Sequence, residues 1–306
     1  MSKLVDIVRA TGIIAGTGLA TYVGIELGDR LRDYLPQAYM LPEISQGVTA
    51  FLFGTVGKRV SRKVLGSRII FEEEAYSIAA LNAFANVAND ARNLSAKKSL
   101  EEISANLVEV MVYSNGKRSL GSGLMITTDG YVITAHHVID GMIGNGGRVM
   151  VRAQNGIIYP VNKENLWYNE NTDIAVVKAT KPSAYAEPIR VKVDQDCKLQ
   201  RGDEIRILGF RDGQKYNTMG MVTNPNYTWI QEGGNVIYDL FLTDARGKEG
   251  QSGGVIANGN GELIGFVVCS LRKEGEDIGI IGGAKISNAL NYINQIAAKK
   301  SAKMFR

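Results

Sequence analysis

A chain of 306 residues that is 45% hydrophobic and 22% charged carries enough apolar material for one large domain or two smaller ones, and is too apolar for a disordered polymer. Its formal net charge of +4 is modest, and with no basic stripe interleaved with aromatics it argues against specific nucleic-acid recognition. Two cysteines, with no C-x-x-C and no Cys/His cluster, exclude a disulfide framework and a thiolate zinc site, while 35 glycines against 6 prolines favour β-rich structure or tight helix packing.

Residues 1 to about 66 differ from everything after about 105. Ala10 to Ile25 is an uncharged run of sixteen residues and Ile44 to Gly57 one of fourteen, both short of the ~20 residues that span a bilayer comfortably. On a helix Gly12, Gly16, Ala20, Gly24 and Gly28 fall on one slowly drifting stripe, and Gly47, Ala50, Gly54 and Gly57 repeat the pattern. Stripes of small residues let helices approach closely. Residues 1–70 therefore read as a Gly-rich helical hairpin with two open roles: an anchor that associates the protein with a membrane, or a buried layer that assembles it, as in a homo-oligomer. No small-residue cleavage site precedes Glu26, Asp29 and Arg30, so a cleaved signal peptide is not expected. Lys58, Arg59, Arg62, Lys63 and Arg68 form one basic cluster; Lys299, Lys300, Lys303 and Arg306 form a second, with residues 301–306 as a basic tail. Both read as solvated helix ends, with contact to anionic lipid or nucleic acid as the alternative.

Phe71 to Arg92 reads as an Ala-rich helix and Asn93 to Ser99 as its exit, which makes residues 71–103 a helical spacer. From Asn106 onward short apolar runs alternate with turn signals: Leu107–Tyr113, Gly123–Thr127, Tyr131–Thr134, Val149–Arg152, Ile174–Lys178, Glu204–Leu208, Val255–Ile256 and Leu263–Val268. This is an all-β pattern. Asn115-Gly116, Asp129-Gly130, Asn155-Gly156 and Asn258-Gly259 are the dipeptides that reverse a hairpin. A final helix over Ser287–Ala302 presents Leu290, Ile293, Ile296 and Ala297 on one face. Cys197 falls in a polar turn and Cys269 in a buried strand, so no bridge is expected between them.

The two histidines are adjacent, His136 and His137, where the run Tyr131–Ala135 ends; any imidazole chemistry must start there. Asp173 stands immediately before the apolar run Ile174–Val177, a place from which a carboxylate can orient an imidazole. Gly250-Gln251-Ser252-Gly253-Gly254 surrounds a serine with glycines, which lets the chain turn tightly and aim backbone N–H groups at one point. Taken singly, each has an ordinary structural reading: an exposed His pair, a turn-capping Asp and a Gly-rich turn.

In the order His, Asp, Ser these elements resemble the trypsin-like serine proteases, and most of all the HtrA (Deg) type. Gly121-Ser122-Gly123 through Thr134-Ala135-His136-His137-Val138-Ile139 is similar to the family's glycine-flanked strand and T-x-x-H-V element, and Asp173-Ile174-Ala175-Val176-Val177-Lys178 to its D-[IL]-A-[VL]-[LV]-K element. Thr243-Asp244-Ala245, a loop and Ser252-Gly253-Gly254 follow its T-D-A and S-G-G wording, with Gln251 where Asn or Asp is common. The likeness runs over about residues 104–297, so 104–300 is delimited as the protease domain. It departs from the family where Gly283 replaces a Phe, where Lys285-Ile286 replaces an apolar residue and Pro, and in that no PDZ domain follows the final helix.

The resemblance implies a mainly β, chymotrypsin-like double β-barrel with a C-terminal helix, preceded by a helical N-terminal region, and a serine endopeptidase acting through an acyl-enzyme. It implies His137, Asp173 and Ser252 as catalytic triad and the N–H groups of Gly250 and Ser252 as oxyanion hole. Val268, Cys269 and Ser270 would pair with an extended peptide substrate. Gly282 and Ala284 would line a specificity pocket roomy enough for a bulky apolar side chain. No metal or organic cofactor is called for; the partner is a protein or peptide substrate. The rival reading is a catalytically silent protease-fold scaffold held in place by its N-terminal helices.

Overall fold

β-Branched residues alternating with small and polar ones make strands that are buried on one face, and paired reversals at short turns close such strands into sheets without long crossovers. The computed structural model describes residues 69–86, 94–181, 188–230, 236–273 and 276–304. The expected glycine-striped hairpin and the first basic cluster, and with them the membrane or assembly role of residues 1–70, lie outside the described residues. Described strands β1 (Leu107–Ser114), β2 (Lys117–Met125), β3 (Tyr131–Ala135), β4 (Arg148–Arg152), β5 (Ile158–Asn169) and β6 (Ile174–Ala179) form a closed barrel in the order β1-β2-β3-β6-β5-β4. A second closed barrel, β10-β11-β12-β9-β8-β7, is built from β7 (Glu204–Arg211), β8 (Gln214–Ile230), β9 (Val236–Thr243), β10 (Val255–Asn258), β11 (Leu263–Lys273) and β12 (Glu276–Lys285). The expected double barrel is therefore present.

The four dipeptides named as hairpin reversals, at Asn115, Asp129, Asn155 and Asn258, fall where an antiparallel pair reverses; Asn115 and Gly116, for example, form the two-residue connection between the partnered Ser114 and Lys117. Val108, Val110, Val112, Val132, Val149, Val151 and Val177 pack together in the first barrel. Val255, Ile256, Phe241, Phe266 and Val267 belong to the larger core that includes the second. β5, β8, β9 and β12 were not among the expected apolar runs; for β5 and β8 the burial pattern shows why. β5 buries only Val161 outright, and β8 only Val222, with Met219 and Met221 among its exposed residues.

Four described helices flank the barrels: α1 (Ile69–Asn86), α2 (Ala96–Asn106), α3 (His136–Asn145) and α4 (Ile286–Met304). The segment read as a spacer behaves as core. Ile78, Leu81, Phe84 and Ala85 on α1 are buried and belong to the larger apolar cluster. The stretch read as the helix's exit begins a new helix instead: Ser95 caps α2, its Oγ accepting from Lys98 N at 3.3 Å, and Ser99 is fully buried with Oγ accepting from Lys192 N at 3.0 Å. Helix α1 is also held by polar contacts, which bury well only when fully paired. Ser77 Oγ donates to Asp129 Oδ2 at 2.5 Å, Lys178 Nζ reaches both Ser77 Oγ (2.8 Å) and Asp129 (2.9 Å), and Thr127 Oγ1 donates to the other Asp129 oxygen at 2.6 Å. Burial alone would raise the Asp129 carboxyl, but these bonds outweigh it and hold it below its ordinary value.

Helix α4 buries Ile286, Ala289, Leu290, Ile293, Ile296 and Ala297, the face its spacing predicts. Its basic end is less solvated than expected. The Lys300 side chain is only 14% exposed, pairs with Glu74 of α1 and lies over the Trp167 ring at 5.2 Å, and the supposed tail from residue 301 continues the helix to Met304. Cys197 and Cys269 are both free and buried. The turn at Cys197 points its thiol inward, donating to Ile264 O at 3.3 Å. Among the described residues no helix is long and apolar enough to cross a membrane, and no group of His, Cys, Asp or Glu is arranged to hold a metal ion.

Candidate active site

The first N–H groups of a helix have no partner inside it, and a carboxylate is well suited to meet them. Helix α3 begins at His136, after Ala135 with extended backbone. The group that meets its first turn is Asp173, at the head of β6, which is partnered with β3. Asp173 O accepts from His136 N at 3.0 Å and Asp173 Oδ1 from His137 N at 2.9 Å. The second carboxylate oxygen lies 2.6 Å from His137 Nδ1. One buried aspartate thus caps the helix and fixes the imidazole that the helix carries. It does so with φ at +50°, a left-handed conformation that costs a non-glycine residue ~1 kcal/mol or more and that Asp and Asn tolerate best.

The His137 side chain is 43% exposed, against 4% for its Asp173 partner. Its pKa is raised above 6.5: partial burial works against the charged ring, but the hydrogen bond that the ring donates to Asp173 and the negative charges of Asp173 and Asp140 prevail. His136, the neighbour, instead stacks on Tyr168 with ring centroids 4.6 Å apart. The two adjacent histidines are thereby separated into a ring held by a carboxylate and a ring packed against an aromatic.

Ser252 arrives from the other barrel. Its carbonyl accepts from Ser122 N of β2 at 2.7 Å. The next residue, Gly253, has φ +78°, and a Cβ there would sit 2.8 Å from Ala135 N. Only glycine lets the serine loop lie this close to the end of β3, two residues before His137. Among the described residues Ser252 Oγ makes no hydrogen bond, so Asp173 and His137 are joined while Ser252 is brought to the same strand end without a hydrogen bond to the ring. Catalytic hydrogen bonds are often open in the absence of substrate.

The backbone donors of this loop divide sharply. Gln251 N donates to Lys248 O, Gly253 N to Val267 O and Gly254 N to Gln251 O. The N–H groups of Gly250 and Ser252 donate to nothing among the described residues. Gly250, at φ +92°, takes a conformation that a side chain would strain, and it is this conformation that sets its N–H apart from the turn. The Gln251 side chain is fully buried and folds back so that Oε1 accepts from Lys248 N at 2.7 Å, while Nε2 has no partner.

Val268, Cys269 and Ser270 lie in β11, beside the serine loop. β10 pairs with β11 only as far as Phe266. Between Val267 and Cys269 the register with β12 slips by one residue, a bulge that re-aims the strand next to the site. Gly282 and Ala284, expected to line a roomy pocket, are both buried. Cys269 is opposite Gly282, its Sγ would be 2.5 Å from a Cβ on that glycine, and Ala284 is fully buried. Burial pushes the Cys269 thiol up to about 12, so it fills this space as a neutral, compact group.

Residues 121–266 match the family described as trypsin-like peptidase domain. A probable periplasmic serine protease of do/HhoA-like type from Haemophilus influenzae is 34% identical over 183 residues, covering 58% of this chain and 37% of that protein. A probable periplasmic serine endoprotease of DegP-like type from Pseudomonas putida is 28% identical over 195 residues, covering 62% of this chain and 36% of the relative. The chain thus spans little more than a third of these relatives' length. The solved structure of the HtrA-type protease AlgW with a tripeptide superposes with a TM-score of 0.53 at 24% identity, over 67% of this chain and 64% of that one, a likeness of fold. The chain therefore has a chymotrypsin-like double-barrel fold, and its barrel region is similar to the trypsin-like peptidase domain of the HtrA- and DegP-type serine proteases.

Proposed function

We propose that the protein is a serine endopeptidase in which Ser252 is the nucleophile, His137 the general base and acid, and Asp173 the group that fixes the imidazole. The observation that carries the reading is the pair of unspent N–H donors, Gly250 and Ser252, on a loop that abuts the strand leading to the Asp173–His137 pair. Ser252 Oγ attacks the scissile carbonyl as His137 Nε2 takes its proton, and the tetrahedral oxyanion accepts from the two N–H groups. His137 then returns the proton to the leaving amine, and water releases the acyl group by the same route. In enzymes of this kind one such donor contributes about 3–4 kcal/mol to the barrier. An extended peptide along β11 from Val268 to Ser270 would present its carbonyl to this loop.

A fluorophosphonate probe tests the reading. Labelling of the wild type, lost in Ser252→Ala together with cleavage of an unfolded protein substrate, is the expected result. The open Ser252–His137 contact favours the rival scaffold, and wild-type protein that neither labels nor cleaves would establish it. Anchoring through residues 1–70 rests on their glycine-spaced apolar runs alone, and extraction of the full chain from membranes by alkaline carbonate would refute it.

A further inference from the structure

Ser122 lies in β2 between two glycines and has no exposed surface. It makes four hydrogen bonds, and they converge on the two chain segments that build the candidate site. Ser122 N donates to Ser252 O at 2.7 Å, and Ser122 Oγ donates to Gly250 O at 2.7 Å while accepting from Phe210 N at 2.7 Å. Its own carbonyl accepts from Thr134 Oγ1 at 2.7 Å, three residues before His137. The side chain belongs to the first barrel; the Gly250, Ser252 and Phe210 groups belong to the second.

Gly250 is a glycine at φ +92°, free of the restraint a side chain would impose, and its carbonyl is on the peptide that it shares with Gln251. A hydrogen bond on that carbonyl fixes the rotation of the Gly250–Gln251 peptide, which lies between the two unspent donors. Without it, rotation about Gly250 and Gln251 moves the Gly250 N–H relative to the Ser252 N–H. The Gln251 N–H bond to Lys248 O holds the same peptide from its other side, but within the loop itself. Ser122 is the only described side chain outside the loop that grips that carbonyl.

We propose that Ser122 is a positioning residue of the peptidase site: its hydroxyl, supplied by the first barrel, locks the Gly250–Gln251 peptide and so holds the oxyanion donors in register with the nucleophile. The proposal deepens the peptidase reading and rests on it. Ser122→Ala removes only the hydroxyl and leaves the backbone bond to Ser252 in place. Loss of one oxyanion donor costs about 10²–10³ in kcat, so loosening both gives an expected loss of about 10- to 100-fold in kcat with KM within twofold. A peptide aldehyde, whose hemiacetal oxygen occupies the oxyanion position, should lose affinity by the same factor.

A second measurement does not depend on turnover. Labelling the full chain with [¹³C]glycine carbonyl and [¹⁵N]glutamine amide marks two peptides, Gly213–Gln214 and Gly250–Gln251. In Ser122→Ala the Gly250–Gln251 signal should move while the Gly213–Gln214 signal, in the β7–β8 turn, stays and reports an intact fold. Ser122→Thr, which keeps a hydroxyl, should return part of both the signal position and kcat. An unmoved Gly250–Gln251 signal, or a moved one with unchanged kcat, would overturn the proposal. Wild-type protein that fails to react with a fluorophosphonate would instead sink the peptidase reading, and the two signals would still decide whether Ser122 holds the loop.

Discussion

Replacing Asp173 by Asn tests the site at the point where fold and chemistry share one side chain. Asparagine is the appropriate change because it nearly preserves shape and tolerates the left-handed backbone at φ +50°, where alanine would add strain. The carbonyl bond from His136 N survives, and an amide oxygen can still accept from His137 N. What goes is the charge 2.6 Å from His137 Nδ1 and with it control of the tautomer, since an amide N–H facing Nδ1 would place the ring's proton on Nε2, where the base must be free. Where this has been done in another triad the loss is about 10⁴ in kcat, or about 5.5 kcal/mol; a loss of about 10³–10⁴ is expected here.

The same substitution acts on pH dependence, with a defined sign. His137 is raised above 6.5 chiefly through Asp173. The stability gained from its protonated form is full below pH 6.5 and lost as pH rises through the raised folded value. Catalysis needs the neutral ring, so wild-type kcat/KM should climb with pH along a limb whose midpoint exceeds 6.5. In Asp173→Asn the residual activity should have a limb shifted to lower pH. A fluorogenic peptide assayed across pH, with thermal melting as a fold control, reads both. Activity within tenfold of wild type, or an unmoved limb, would refute an orienting role for the carboxylate.

Phe84→Ala should lower unfolding free energy by about 3–5 kcal/mol, measured by urea titration, because Phe84 is fully buried in the main core; a change under 1 kcal/mol would restore the spacer reading of α1. Cys269→Ala should broaden the preferred side chain at the cleavage position toward larger apolar residues in a substrate-profiling assay, since the thiol occupies the space above Gly282; an unchanged profile would remove Cys269 from the pocket.

Local words carried the legible part of this molecule. Asp173-Ile174-Ala175 and Ser252-Gly253-Gly254 are short enough to be read in place, and Asn-Gly steps mark reversals because their backbone preference is local. β5 and β8 were hidden because each buries a single residue outright, and the half-buried positions that face inward are in part polar, which blurs the apolar alternation. The role of Ser122 left no local trace: its hydroxyl meets Gly250 across 128 positions of sequence, a distance that only the closed barrels collapse. Cys269 above Gly282 was equally hidden, since a pair across two strands depends on a one-residue register slip.

Barrel closure also separates what can be recognised from what can be produced as a folded molecule. The family match begins at residue 121 and ends at 266, but β1 pairs with both β2 and β4, and β12 with both β11 and β9. A fragment cut to the recognisable stretch would keep His137, Asp173 and Ser252 yet open both barrels, leaving unpaired strand edges that invite other chains to add to them. The smallest fragment that keeps both barrels closed and their apolar core covered extends well beyond the residues that identify it, from the buried side of α1 to the buried side of α4.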